Sequence, residues 1–191
     1  RQTFGLNTDE DVGDYNHVIG AGLNFVESFN AVDIAIFAGA EWANLEMDSG
    51  NAFKDYQSYQ GGLNIGFAGF TLGGSVSYND AGIDDAGVGA DADIWFSDVG
   101  ATYGSGPWTI GLTYSHASYD VDSSIVDIES DRDLVELGVS YALAPGVTLV
   151  GALQWMDEDN DLEGDIGGDL PVEIDFGTEG FAGAIGTKLT F

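Results

Sequence analysis

A side-chain alternation of period two, renewed nine times along 191 residues, limits what this chain can fold into more than any other feature. Successive side chains of an extended strand point to opposite faces, so alternation marks strands whose two faces meet different surroundings. From Tyr15 the odd positions read Tyr15, His17, Ile19, Ala21, Leu23 and Phe25, against Asn16, Val18, Gly20, Gly22 and Asn24. The next segment keeps the pattern in opposite phase: Val32, Ile34, Ile36, Ala38, Ala40 and Trp42 against Asp33, Ala35, Phe37, Gly39 and Glu41. Seven more segments repeat it, over 57–67, 70–78, 95–103, 108–114, 135–141, 147–155 and 181–191. The predicted fold class is all-β, with nine antiparallel strands in one domain over 1–191.

Connections alternate in length. SFNA, AG, GSGP and APG are tight, and EMDSGNAFKD, NDAGIDDAGVGADAD, VDSSIVDIESDRD and DEDNDLEGDIGGDLPVEIDFGTE are long and acidic. Short turns at one end and long loops at the other are the pattern of an outer-membrane barrel. The 29 glycines, with only 3 prolines and 12% aromatics, suit strands better than disorder.

Soluble sandwiches alternate too, so the decision rests on what each face carries. The minor face holds Asn24, Asp33, Glu41, Gln60, Asn64, Asp98, Thr113, Ser115, Glu136, Gln154 and Lys188, a set that calls for water. On the apolar face the aromatics are sorted by height. Tyr15, Trp42, Tyr59, Tyr78, Trp95, Tyr114, Trp155 and Phe181 fall near the long-loop ends. Phe25, Phe67, Phe70, Tyr103, Trp108, Tyr141 and Phe191 fall near the short-turn ends, and between the groups run only Ile, Leu, Val, Ala and Gly. Two aromatic girdles around an aliphatic band match the two interfaces of a bilayer.

Charge removes other classes. With 33 acidic residues against 4 basic ones, the net charge is −29, so nucleic-acid phosphates are not a partner. The chain has no cysteine, which excludes disulfides, thiolate metal sites and cysteine nucleophiles. No run of 18 apolar residues is present to make a membrane helix, which leaves strands as the means of crossing. RQTFGLNTDED has neither a basic nor an apolar leader region, and the expectation is that any export signal has been removed. A lipid-embedded barrel must close and bacterial barrels have even strand counts, so the expectation from nine is that N-terminal strands are missing.

YNHVIGAGLNFVESFNAVDIAIFAGAEWANLE, YGSGPWTIGLTYSHASYD, YALAPGVTLVGALQW and the terminal GTKLTF resemble the C-terminal half of Gram-negative general porins of the α-proteobacterial type. The resemblance implies a transmembrane antiparallel barrel of roughly sixteen strands, the last nine being those present here. It also implies a homotrimer in the outer membrane that passes small hydrophilic solutes and ions passively. Phe191 would serve as the signal for the barrel-assembly machinery. The family's constriction loop and facing basic row come largely from the N-terminal half and have no counterpart here.

Candidate pore-lining residues are Asp33, Glu41, Asp98, Glu136 and Lys188, with Lys188 expected to pair with one of the carboxylates. The girdle comprises Tyr15, Phe25, Trp42, Tyr59, Tyr78, Trp95, Tyr103, Trp108, Tyr141, Trp155 and Phe191. His17 and His116 are taken as interfacial aromatics, and with no nucleophile motif the chain is not expected to be an enzyme and has no catalytic residues to nominate. Asp157, Asp159 and Asp161 belong to an acidic run dense enough in oxygen to hold Ca2+ weakly and to bridge lipopolysaccharide phosphates. Leu162 stands where an EF-hand glycine belongs, and a solvated acidic loop with no resident cofactor is the plainer reading. Two alternatives remain open at this point. One is a soluble acidic β-sandwich or solenoid acting as an adhesin or calcium-dependent binding module, and the other is a plugged barrel serving as an anchor.

Overall fold

The computed structural model describes residues 15–45, 55–85, 88–123, 126–165 and 171–190. They form β1 (Tyr15–Phe29), β2 (Val32–Leu45), β3 (Tyr56–Phe67), β4 (Phe70–Asp85), β5 (Val88–Ser105), β6 (Trp108–Ser123), β7 (Val126–Ala144), β8 (Val147–Asp165) and β9 (Pro171–Leu189). All nine lie in one sheet in chain order, each hydrogen-bonded antiparallel to the next.

The register keeps one set of side chains on one face from edge to edge. One rung reads Phe25, Ile36, Leu63, Gly74, Val99, Tyr114, Val135, Trp155 and Phe181. This is the band face. The rung Val26, Ala35, Asn64, Gly73, Gly100, Thr113, Glu136, Gln154 and Ala182 belongs to the opposite, polar face.

Among the described residues no second layer covers the band face. Among the described residues the buried apolar side chains are Ala43, Ala92 and Val121, while Leu153 is 64% and Ile185 91% exposed. A soluble sandwich would bury its leucines and isoleucines in a core between two sheets. Here the apolar surface is outside the protein, and lipid is the solvent that accepts it. That removes the soluble adhesin or binding-module reading.

Four two-residue turns, at 30–31, 68–69, 106–107 and 145–146, close one end of the sheet. Tight hairpins need positive φ, found at Asn30 (55°), Ala68 (52°), Gly69 (84°), Gly106 (59°) and Gly146 (78°). These turns are also tied sideways to later strands: Gly104 N donates to Gly69 O at 2.8 Å and Thr190 N to Gly146 O at 2.9 Å.

The other end corrects the sequence reading. Three of the four segments taken as long loops are strand for most of their length, since β4 runs to Asp85 against Val88 of β5, β6 to Ser123 against Val126 of β7, and β8 to Asp165 against Pro171 of β9. About 9–11 residues take a tilted strand across hydrocarbon, so the 19 residues of β7 and of β8 project well beyond it. The acidic segments looked like loops because of their charge density, yet their acids recur at every second position, as Asp127, Glu129, Asp131 and Asp133 do. That spacing puts all of them on one face and leaves the ladder intact.

A second correction concerns Tyr15. The register shifts between Asn16 and Ile19, where His17 has φ 50°, so Tyr15 pairs with Leu45 and falls one phase away from the Trp42 row. The β-bulge breaks the alternation that had placed Tyr15 in the girdle. Its side chain lies outside the described residues, as does Phe191.

Ala68 occupies a left-handed position that costs a residue with a Cβ roughly 1–2 kcal/mol. Ala68→Asn is expected to stabilise the protein by about 1 kcal/mol in urea unfolding followed by tryptophan fluorescence. Gly69→Ala is expected to act in the opposite sense, because its Cβ would stand 2.6 Å from Gly104 O.

Candidate functional site

The polar face gathers the residues that sequence nominated for the wall. Asp33, Glu41, Asp98, Glu136 and Lys188 all take its phase in the register. Asp33 accepts a hydrogen bond from Ser28 Oγ at 2.6 Å, and Asp98 accepts one from Ser75 Oγ. The expected pairing of Lys188 is not formed: among the described residues no carboxylate lies within ion-pair distance of it. Lys188 pairs with Thr148 near the short-turn end, whereas the rung of Glu136 meets β9 at Ala182, six residues or about 20 Å away.

The band face carries the nominated girdles. At the projecting end Trp42 and Tyr59 meet edge to face with centroids 5.9 Å apart, and Tyr78 and Trp95 lie 6.3 Å apart. At the short-turn end Phe70 and Tyr103 stand 4.3 Å apart and Trp108 and Tyr141 4.6 Å apart. Phe25 lies opposite Ile36, a little inside its girdle. The upper rings donate outward and across to the next strand: Tyr78 Oη to Asp93 at 2.7 Å, Tyr114 Oη to Asp133 at 2.6 Å and Trp155 Nε1 to Glu179 at 3.1 Å. Each ring thus keeps its apolar body in the band and hands its polar end to a carboxylate one step further out. His116 joins this arrangement, with Nδ1 2.9 Å from Asp133 Oδ1.

Above the upper girdle the two faces exchange character, which the sequence reading missed. The face that is aliphatic in the band becomes acidic, with rungs Asp120, Glu129, Asp161, Asp175 and Asp122, Asp127, Glu163, Glu173. The polar face turns apolar at the same height, with Ile94, Val121, Ile128, Leu134, Met156 and Leu162. Among the described side chains the acid of that face at this height is Glu158, bonded to Arg132 Nε at 2.6 Å across the rung. The signal was present in the phase of the acids, but only pairing shows that neighbouring strands invert together.

Like charges facing each other across rungs repel. Asp120 is pushed above the usual carboxylate range by partial loss of hydration, then by Asp122, Asp93 and Asp127. Asp161 is raised in the same way, by hydration loss and then by its hydrogen bond and charge contact with Asp175. Asp157, Asp159 and Asp161 follow one another along one face of β8, about 7 Å apart, not in a loop. Among the described residues no three His, Asp or Glu side chains converge as a metal-holding group.

Residues 2–161 match the family described as Gram-negative porin. No curated protein matches the chain by sequence. Among solved structures, the alcaligin outer-membrane receptor FauA of Bordetella pertussis superposes with a TM-score of 0.59 at 10% identity, over 91% of this chain and 32% of that one. Outer-membrane-expressed OmpT of Vibrio cholerae gives 0.52 at 15% identity, over 92% of this chain and 59% of that one. The in-vitro folded form of the same protein gives 0.51. At these identities the likeness is one of fold. The chain spans about a third of the receptor and under two thirds of OmpT.

A carboxyl whose pKa is raised by folding binds its proton more tightly folded than unfolded. Its contribution therefore favours the fold at low pH and is lost as pH rises through the raised value. Asp161→Asn is expected to stabilise the projecting hairpin at neutral pH and low salt and to have no effect below the carboxylate range. Amide hydrogen exchange of β8 measured against pH checks this, and salt is expected to shrink the gain.

Proposed function

This chain belongs to the Gram-negative porin family, and from that premise we propose that it lines a water-filled, cation-preferring channel for passive diffusion of small hydrophilic solutes and ions. It is a β-barrel protein of the Gram-negative outer membrane. One observation carries the cation preference: among the described residues four carboxylates, Asp33, Glu41, Asp98 and Glu136, share the polar face with one lysine that neutralises none of them, and the arginine of that face, Arg132, is taken up by Glu158. In the barrel that face is the lumen, and a wall with an excess of one sign concentrates counter-ions.

The channel is proposed to be a homotrimer of closed barrels, assembled by the barrel-assembly machinery. The acidic rungs above the girdle lie on the outer surface, level with lipopolysaccharide headgroups. Divalent cations such as Ca2+, shared between these carboxylates and lipid phosphates, would offset their repulsion. Transport needs no group that makes or breaks bonds, so no residue is assigned a catalytic role.

Each wall charge about 10 Å from the pore axis is worth about 0.4 kcal/mol to a monovalent ion in water, roughly a twofold change in local concentration. Single-channel reversal potentials of the full-length protein in a salt gradient are expected to have the sign of a cation-preferring pore. Combining Glu41→Gln, Asp98→Asn and Glu136→Gln is expected to lower the cation-to-anion ratio severalfold. An anion-preferring pore, or one indifferent to these changes, would overturn the reading.

A further inference from the structure

We propose that the polar face carries a saccharide-binding niche over Gly73 and Gly100. The proposal rests on the channel reading, because a solute reaches this face only through a water-filled lumen. Gly73 and Gly100 are direct partners across β4 and β5, so the wall there is bare backbone at two adjoining positions. Asn64 borders Gly73 in the same rung on β3, and Thr113 borders Gly100 on β6. One rung towards the projecting end, Ser75 faces Asp98 and donates its hydroxyl to Oδ1. Phe37 of β2 lines the recess, which encloses about 330 Å³.

Glycine at these two positions makes room for the neighbouring polar side chains. A Cβ on Gly73 would fall 1.8 Å from Asn64 Oδ1, and one on Gly100 would fall 3.0 Å from Thr113 Oγ1. Both polar side chains therefore lean over the bare floor. The Phe37 ring lies against Gly62, where an added Cβ would come within 2.3 Å of its Cε1, and remains 37% exposed.

The donors and acceptors set the ligand class. Asp98 Oδ2 is an acceptor free of the Ser75 bond, Asn64 offers both an acceptor and a donor, and the hydroxyls offer either. Vicinal hydroxyls of a sugar ring match such a set, and the ring's C–H surface suits an aromatic face. A simple cation would use Asp98 alone, and an anion would be repelled by it. The volume is at the small end of ligand sites, sized for a single neutral sugar. Weak, reversible holding of that kind is compatible with passage.

The test is single-channel recording of the full-length protein with glucose, against a polyethylene glycol of equal hydrodynamic size. Glucose is expected to produce discrete, saturable current interruptions, whereas the polyether lowers current only through solution conductivity. Asn64→Ala and Phe37→Leu are each expected to weaken the glucose effect about five- to tenfold, the loss of one hydrogen bond or one aromatic face. Ser140→Ala, on the same face but outside the recess, is expected to keep it. A conducting channel in which glucose and the polyether act alike overturns the niche and leaves the channel standing, as do interruptions unchanged in both variants. A barrel that inserts without conducting overturns the channel and the niche with it.

Discussion

Leaving a backbone N–H or C=O unpaired in hydrocarbon costs several kcal/mol, and the rest of this structure depends on avoiding that cost. Antiparallel ladders join each of the nine strands to the next, and every tight turn places the following strand beside its predecessor. The two outermost strands show what remains. β1 and β9 run in the same direction and are not paired with each other, and Phe181 and Ile185 on β9 are 84% and 91% exposed. An all-antiparallel barrel closes over these edges only with an odd number of further strands between them, in keeping with the even totals of bacterial barrels.

Within that ladder a single period of two serves two solvents. In the band the outward set is aliphatic because lipid surrounds it, and the inward set is polar, as the water-filled lumen of the proposed channel requires. Past the upper girdle the outward set meets water and becomes carboxylate, while the inward set becomes apolar. Tyr78, Tyr114 and Trp155 stand at the boundary, each with its polar atom on a carboxylate beyond it. Acids cannot follow the band into hydrocarbon, so the boundary holds the barrel at one depth. The repulsion among facing acids is the cost, borne where water and salt can screen it.

The lumen wall has a different logic. Its nominated carboxylates are spread over β2, β5 and β7 and form no site, and in the proposed channel they would act together as a field. The recess at Gly73 and Gly100 is local, made by two missing side chains and the polar groups leaning over them. A porin fold can host many selectivities, and it is at this scale that one pore comes to differ from another.

Alternation by itself determined the nine strands, their direction and the phase of Asp33, Glu41, Asp98, Glu136 and Lys188, because side-chain direction in a strand depends only on parity. The height-sorted aromatics determined that lipid, not a protein core, covers the band face. Parity failed at His17, where the bulge shifted Tyr15 by one phase, since a bulge is a backbone event that composition does not mark. Charge density hid the projecting hairpins, because a carboxylate on a strand in water and one in a loop look alike along the chain. Tertiary structure alone decided which residues stand side by side. It kept Lys188 away from Glu136, set Arg132 against Glu158 and brought Asn64, Gly73, Gly100 and Thr113 into one rung. Those are relations between strands, set by cross-strand register, which one strand's own pattern does not contain.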